Sequence, residues 1–119
     1  MKLKDIIEML QLREFNRPEN PELEIRTCYV SDVMSDALKS VSEGDLWITI
    51  QAHRNTAAIA SLRGAAAVIF SNGIVPQQDL TDCATTAKIT LLGSDATTFE
   101  IAGILYQLLR SADTPGGRN

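Results

Sequence analysis

Apolar residues fall along this chain in two alternating rhythms. Leu3, Ile6, Ile7 and Leu10 recur at three- and four-residue spacing between charged positions, which predicts a short amphipathic surface helix over about 3–11. Residues 14–22 hold two prolines and little apolar content and read as a loop. Leu23, Ile25, Thr27 and Tyr29 then alternate with their neighbours, the period-two pattern of a strand over 23–30. Ser31 and Asp32 offer side-chain oxygens suited to the unpaired amides of a helix start, with Val33, Met34, Ala37, Leu38 and Val41 as the apolar face behind them.

The second half repeats this alternation more strongly. Ser42-Glu43-Gly44-Asp45 breaks the helix, and Leu46-Trp47-Ile48-Thr49-Ile50 is too apolar and β-branched to have a wet face, so it predicts a central buried strand. Small residues dominate 54–63, a composition that lets a helix lie close to a sheet, and Gly64 follows as a natural C-cap. A further buried strand is expected over 65–70, a turn at Ser71-Asn72-Gly73, and a helix from Pro76 to about Thr86. A fourth strand is expected over 88–92, after which Gly93-Ser94-Asp95 opens a last helix with Phe99, Ala102, Leu105, Tyr106 and Leu109 facing inward. Strands alternating with helices, with the strands themselves apolar, predict a mostly parallel sheet covered on both faces: an α/β fold built as a three-layer α/β/α sandwich.

Length and composition agree with this picture and narrow it. The 119 residues suit one domain, expected over 1–110, while 111–119 contain almost nothing that can be buried and are expected to form a mobile tail. A net charge of -4 gives no general attraction to phosphate backbones or anionic lipid, so nucleic acid and membrane are not expected partners. The start carries no apolar secretory segment and no run approaches a membrane span, so a cytoplasmic location is expected. Cys28 and Cys83 lie far apart with no chelating neighbour and are expected to be structural thiols, and His53 stands alone, so neither metal nor cofactor is implied.

Candidate chemistry collects where the strands would end. In an open parallel sheet, ligands bind beyond the carboxyl ends of the strands, where loops and helix starts present unpaired amides. Here those ends carry Ser31 and Asp32; Gln51, His53, Arg54 and Asn55; Asn72 and Gly73; and Ser94. A small anionic ligand would find charge at His53 and Arg54, hydroxyls at Ser31 and Ser94, and close backbone approach at Gly73. The plainer reading is that Ser31, Asp32 and Ser94 only cap helices and turns; the Gln51–Asn55 cluster is the part least explained by capping. Tyr29, Met34 and Trp47 read as core or interface residues. No phosphate-cradling Gly-Lys-Ser/Thr loop, dinucleotide turn, serine elbow or His-Glu-x-x-His pair is present, and nothing singles out a nucleophile for His53, so an enzyme is not expected.

Three separated blocks resemble the landmarks of the DRTGG domain: Ile25-Arg26-Thr27-Cys28-Tyr29-Val30-Ser31-Asp32-Val33-Met34-Ser35-Asp36, Gly44-Asp45-Leu46-Trp47-Ile48-Thr49-Ile50-Gln51-Ala52-His53, and Phe99-Glu100-Ile101-Ala102-Gly103. The eponymous glycines are missing, since Arg26-Thr27-Cys28-Tyr29 stands in their place, and Thr27 and Cys28 are therefore expected at ordinary extended angles. The resemblance implies a fold similar to the N-terminal domain of HPr kinase/phosphorylase, without the separate kinase domain. It also implies an accessory role of the kind such domains have beside phosphotransacetylases and in CBS-containing pyrophosphatases. Two functions follow as expectations: a regulatory or interaction domain that self-associates, as a homodimer or with a protein partner, through the Tyr29, Met34 and Trp47 region; or a sensor of a nucleotide or another phosphorylated small molecule at the carboxyl edge.

Overall fold

A computed structural model describes residues 1–113 of the chain. In chain order the elements are α1 (Leu3–Leu10), β1 (Arg13–Glu14), β2 (Cys28–Val30), α2 (Met34–Ser40), β3 (Leu46–Thr49), α3 (Arg54–Arg63), β4 (Ala67–Phe70), α4 (Gln78–Thr86), β5 (Leu91–Gly93) and α5 (Thr98–Asp113). They form one five-stranded sheet in the order β1-β5-β4-β3-β2, in which β2 to β5 are parallel and β1 runs antiparallel along β5. Because β2 to β5 are consecutive in the chain and adjacent in space, each intervening helix is a short crossover to the next strand.

Alternation along the strands divides the core into two halves. Leu46, Ile48, Ala67, Ile69 and Leu92 face α1 and α5, where Leu3, Ile6, Ile101, Leu105 and Leu109 meet them. Trp47, Val68, Phe70 and Leu91 face the other way, against Ala37, Ala57, Ala60, Leu80 and Ala84 of α2, α3 and α4. This is the expected three-layer α/β/α sandwich. Both faces are sealed, so the central strands carry no wet positions and each buried Leu, Ile, Val or Phe contributes roughly 1.5–3 kcal/mol of transfer free energy.

Several local expectations give way to the tertiary structure. Only Cys28–Val30 of the expected 23–30 strand joins the ladder. The preceding residues instead hold the start of α1, through Leu3 N–H to the Leu23 carbonyl at 2.9 Å and Ile25 N–H to the Met1 carbonyl at 2.8 Å. The proline-rich loop begins with an edge strand, Arg13–Glu14, which pairs with Gly93 and Leu92. β5 starts at Leu91 rather than near Lys88, because Lys88 turns the chain with φ of 62°. In α5 the inward set is Ile101, Leu105 and Leu109, whereas Phe99 and Tyr106, expected inside, point to solvent. The helix presents its i, i+4, i+8 row to the sheet, and Phe99 and Tyr106 lie on the opposite side. α5 also runs through Ser111 to Asp113, and the remainder of the expected tail lies outside the described residues.

Candidate functional site

Parallel register brings the strand ends into one row: Thr49 pairs with Phe70 and Phe70 with Gly93, while Val30 pairs with Ile48. The loops that follow therefore share one edge of the sheet. At its β2 end, Ser31 N–H donates to the Ile48 carbonyl at 3.2 Å and the Ser31 carbonyl accepts the Trp47 indole N–H at 3.0 Å. Asp32 does not cap α2; its Oδ1 accepts both the Thr49 hydroxyl and the Ile50 N–H, each at 2.9 Å. Ser31 Oγ accepts the Val33 N–H at 3.2 Å. Ser31 and Asp32 thus tie the end of β2 to the end of β3.

At the β4 and β5 end the sheet has the geometry of a binding crevice, since α4 leaves β4 towards one face and α5 leaves β5 towards the other. The crevice is closed by the protein itself. Asn72 N–H donates to the Ala96 carbonyl at 2.8 Å, Gly73 N–H to the Ser94 carbonyl at 2.9 Å, and Ser94 N–H to the Phe70 carbonyl at 2.9 Å. The hydroxyls of Ser71 and Thr98 share a hydrogen bond of 2.6 Å, and Ser94 Oγ accepts the Ala96 N–H at 3.0 Å. The amides expected to receive a ligand at Asn72 and Gly73 are already used, so these residues and Ser94 close the edge rather than open it.

Between these two regions the edge is open. A groove of about 490 Å³ lies between the first turns of α3 and α4, lined by Ala52, His53, Arg54, Asn55, Gln77, Asp79 and Leu80. Its α3 wall is held by a local network: the His53 ring nitrogen Nε2 meets Gln51 Oε1 at 2.8 Å, His53 N–H donates to Thr56 Oγ at 3.3 Å, and the buried Thr56 hydroxyl donates to the Gln51 carbonyl at 2.5 Å. The backbone amides of Arg54 and Asn55 lie in the first turn, where no carbonyl of the helix can reach them. Arg54 is exposed, and its guanidinium has no hydrogen bond or ion pair among the described residues.

The opposite wall comes from α4 and was not anticipated. Pro76 is buried and α4 starts at Gln78, which puts Gln77 and Asp79 at the same edge as His53. Asp79 Oδ1 accepts the Leu80 N–H at 2.9 Å. A second hollow of about 590 Å³ continues from Arg54 and Asp79 past Asp82 and Cys83 to Thr86 and Ala87. The arrangement sets a cation and two helix-start amides on one side against a carboxylate on the other. It suits a ligand that carries both an anionic group and hydrogen-bond donors.

Of the residues read as an interface, Tyr29 and Met34 are half-buried, and the Tyr29 hydroxyl donates to Asp36 Oδ2 at 2.7 Å. Trp47 is 0% exposed and lies in the core, so it offers no surface to a partner. Both cysteines are free and half-buried; burial, and secondarily the Asp45 carboxylate, pushes the Cys28 thiol up from its ordinary value. Neither Thr27 nor Cys28 has positive φ, in keeping with extended backbone where the glycines are missing. Among the described residues no group of three or more His, Cys, Asp or Glu could hold a metal ion, and no helix is long and apolar enough to cross a membrane.

The mostly parallel sheet covered by helices on both faces is a DRTGG-like α/β fold, a likeness that rests on comparison with a solved structure. The chain is similar to a solved structure of the CBS and DRTGG domains of the regulatory region of Clostridium perfringens pyrophosphatase, complexed with the activator diadenosine tetraphosphate. The TM-score is 0.72 at 20% identity, over 89% of this chain and 46% of that one. This chain therefore spans less than half the length of that relative, and the likeness is one of fold. No family profile and no curated protein sequence matches the chain.

Proposed function

We propose that this chain is a non-catalytic regulatory domain, acting in the cytoplasm, that senses a phosphorylated small molecule in the groove between α3 and α4. The observation that carries this reading is Arg54, an exposed guanidinium unengaged among the described residues, beside two helix-start amides and opposite Asp79. A phosphate would take the guanidinium and the amides, while Asp79 would accept from a ribose hydroxyl or a base amino group. The fold likeness to a regulatory region that holds a nucleotide activator supports the same class of ligand.

Thermal-shift titration with diadenosine polyphosphates, mononucleotides and sugar phosphates tests it. A ligand at a hundred times its Kd adds about 2.7 kcal/mol of stability, a rise of roughly 10 °C or more in Tm for a domain of this size. The rise should vanish in Arg54→Ala while the unliganded Tm stays put. If no compound moves the melting point, or if the shift survives in Arg54→Ala, the groove is not a phosphate site.

Self-association as a homodimer is a second reading, supported by large apolar side chains left in solvent on α5, Phe99 and Tyr106 among them. Sedimentation velocity across micromolar concentrations tests it, a monomer at every concentration being the adverse result.

A further inference from the structure

The outward side of α5 carries an ordered stripe. Phe99 is 86% exposed and Tyr106 61%, and between them Gly103 presents a position where an added Cβ would meet nothing within 4 Å. Arg110 continues the row, its guanidinium hydrogen-bonded to the Tyr106 hydroxyl at 2.9 Å and 5.2 Å from the centre of that ring. Phe99, Gly103, Tyr106 and Arg110 are separated by four, three and four residues, the alternating spacing of a helix–helix seam. A glycine inside a helix costs roughly 1 kcal/mol relative to alanine. Nothing among the described residues offsets that cost, since an added Cβ at Gly103 would meet none of them within 4 Å.

We infer that this stripe is the contact through which two copies of the chain pair, α5 against α5 in antiparallel orientation. The inference rests on the self-association reading and names its surface. The spacing chooses the occupant. A four-three-four row is symmetric about its midpoint, so an antiparallel second copy with its two-fold axis between positions 104 and 105 places Phe99 against Arg110 of the other copy and Gly103 against Tyr106, each pair occurring twice. Both pairs are complementary: a cation over an aromatic face, and a ring in the gap that a missing side chain leaves. A parallel copy would set Gly103 against Gly103 and Arg110 against Arg110, an empty gap and a like-charge clash. An unrelated helix would have no reason to match the row end for end. The interface expected around Trp47 is thereby moved to the opposite layer of the sandwich, because Trp47 packs on the α2–α4 side while α5 covers the other.

Sedimentation velocity and light scattering on the full chain provide the test. The wild type should form a dimer whose dissociation constant rises at least tenfold in Phe99→Arg, which opposes two cations. It should rise similarly in Gly103→Gln, which fills the gap with a good helix former, and Gly103→Gln should not lower the Tm of the monomer. The exchanged double variant Phe99→Arg with Arg110→Phe should regain much of the lost affinity, which a merely destabilised helix would not do. A wild type that stays monomeric overturns both the surface and the self-association reading. A dimer untouched by the α5 variants but broken by Val30→Lys, at the exposed β2 edge, overturns this surface alone.

Discussion

The β3 and β5 ends of the sheet lie in one row and are followed by equally polar loops, yet one is open and the other shut. After β4 and β5, the loops at Asn72, Gly73 and Ser94 answer each other's backbone groups, so their polarity is spent within the protein. After β3, the network among Gln51, His53 and Thr56 is satisfied locally, and the exposed Arg54 beside it lines the groove that faces α4. A polar loop at a carboxyl edge is thus not yet a site. It becomes one where its neighbours leave both room and an unanswered charge.

Substitutions should separate the two regions by which property they change. Trp47→Ala removes the largest buried side chain under the edge and the indole bond to Ser31, and should cost about 3–5 kcal/mol in denaturant unfolding. Asp32→Ala leaves the fully buried Thr49 hydroxyl and the Ile50 amide without their acceptor; a loss of about 1–3 kcal/mol is expected, with Asp32→Asn retaining part of it. Gly73→Ala imposes a side chain at φ of +71° and 3.3 Å from Asp95 Oδ1, so the shut crevice should lose about 1–2 kcal/mol. Arg54→Ala, in the open groove, should change stability by no more than about 0.5 kcal/mol while abolishing the ligand-induced rise in Tm. Equal losses from Gly73→Ala and Arg54→Ala in the absence of ligand would erase the distinction between the regions.

The smallest effect lies away from the edge and calibrates the others. Lys4 and then Lys2 hydrogen-bond to Glu22 and hold its carboxyl at about 2, below its usual 4.5. A depressed carboxylate stabilises the fold above its unfolded value and loses that contribution as pH falls from 4.5 towards 2. The cluster is fully exposed, so the drop in Tm over this window should be slight, smaller in Glu22→Gln, and further reduced by salt.

Much of the fold was legible because a strand sealed on both faces leaves an unmistakable apolar run. Leu46-Trp47-Ile48-Thr49 and Ala67-Val68-Ile69-Phe70 announce themselves in this way, and the helix of small residues ending at Gly64 does so equally, with Gly64 at φ of 72°. The two-residue edge strand Arg13–Glu14 was hidden in a proline-rich segment, because a short exposed edge needs no apolar pattern to pair with β5. The inward face of α5 is not legible at Phe99 and Tyr106, which the apolar pattern places inside and the fold leaves exposed. Two apolar rows wind around that helix, and only its position over β2 and β3 decides which is buried.

The candidate site divides along the same line. Residue order alone set the α/β alternation, the sealed central strands and the collection of polar residues at strand ends, since each depends on local period and composition. Register and packing decided which of those residues meet. They spent Asn72, Gly73 and Ser94 on each other, buried Trp47, brought Gln77 and Asp79 across from another helix to face Arg54, and left Phe99 and Tyr106 outside. A hydrogen bond or a groove between residues 25 positions apart depends on distances that no local pattern contains, and only the assembled sheet supplies them.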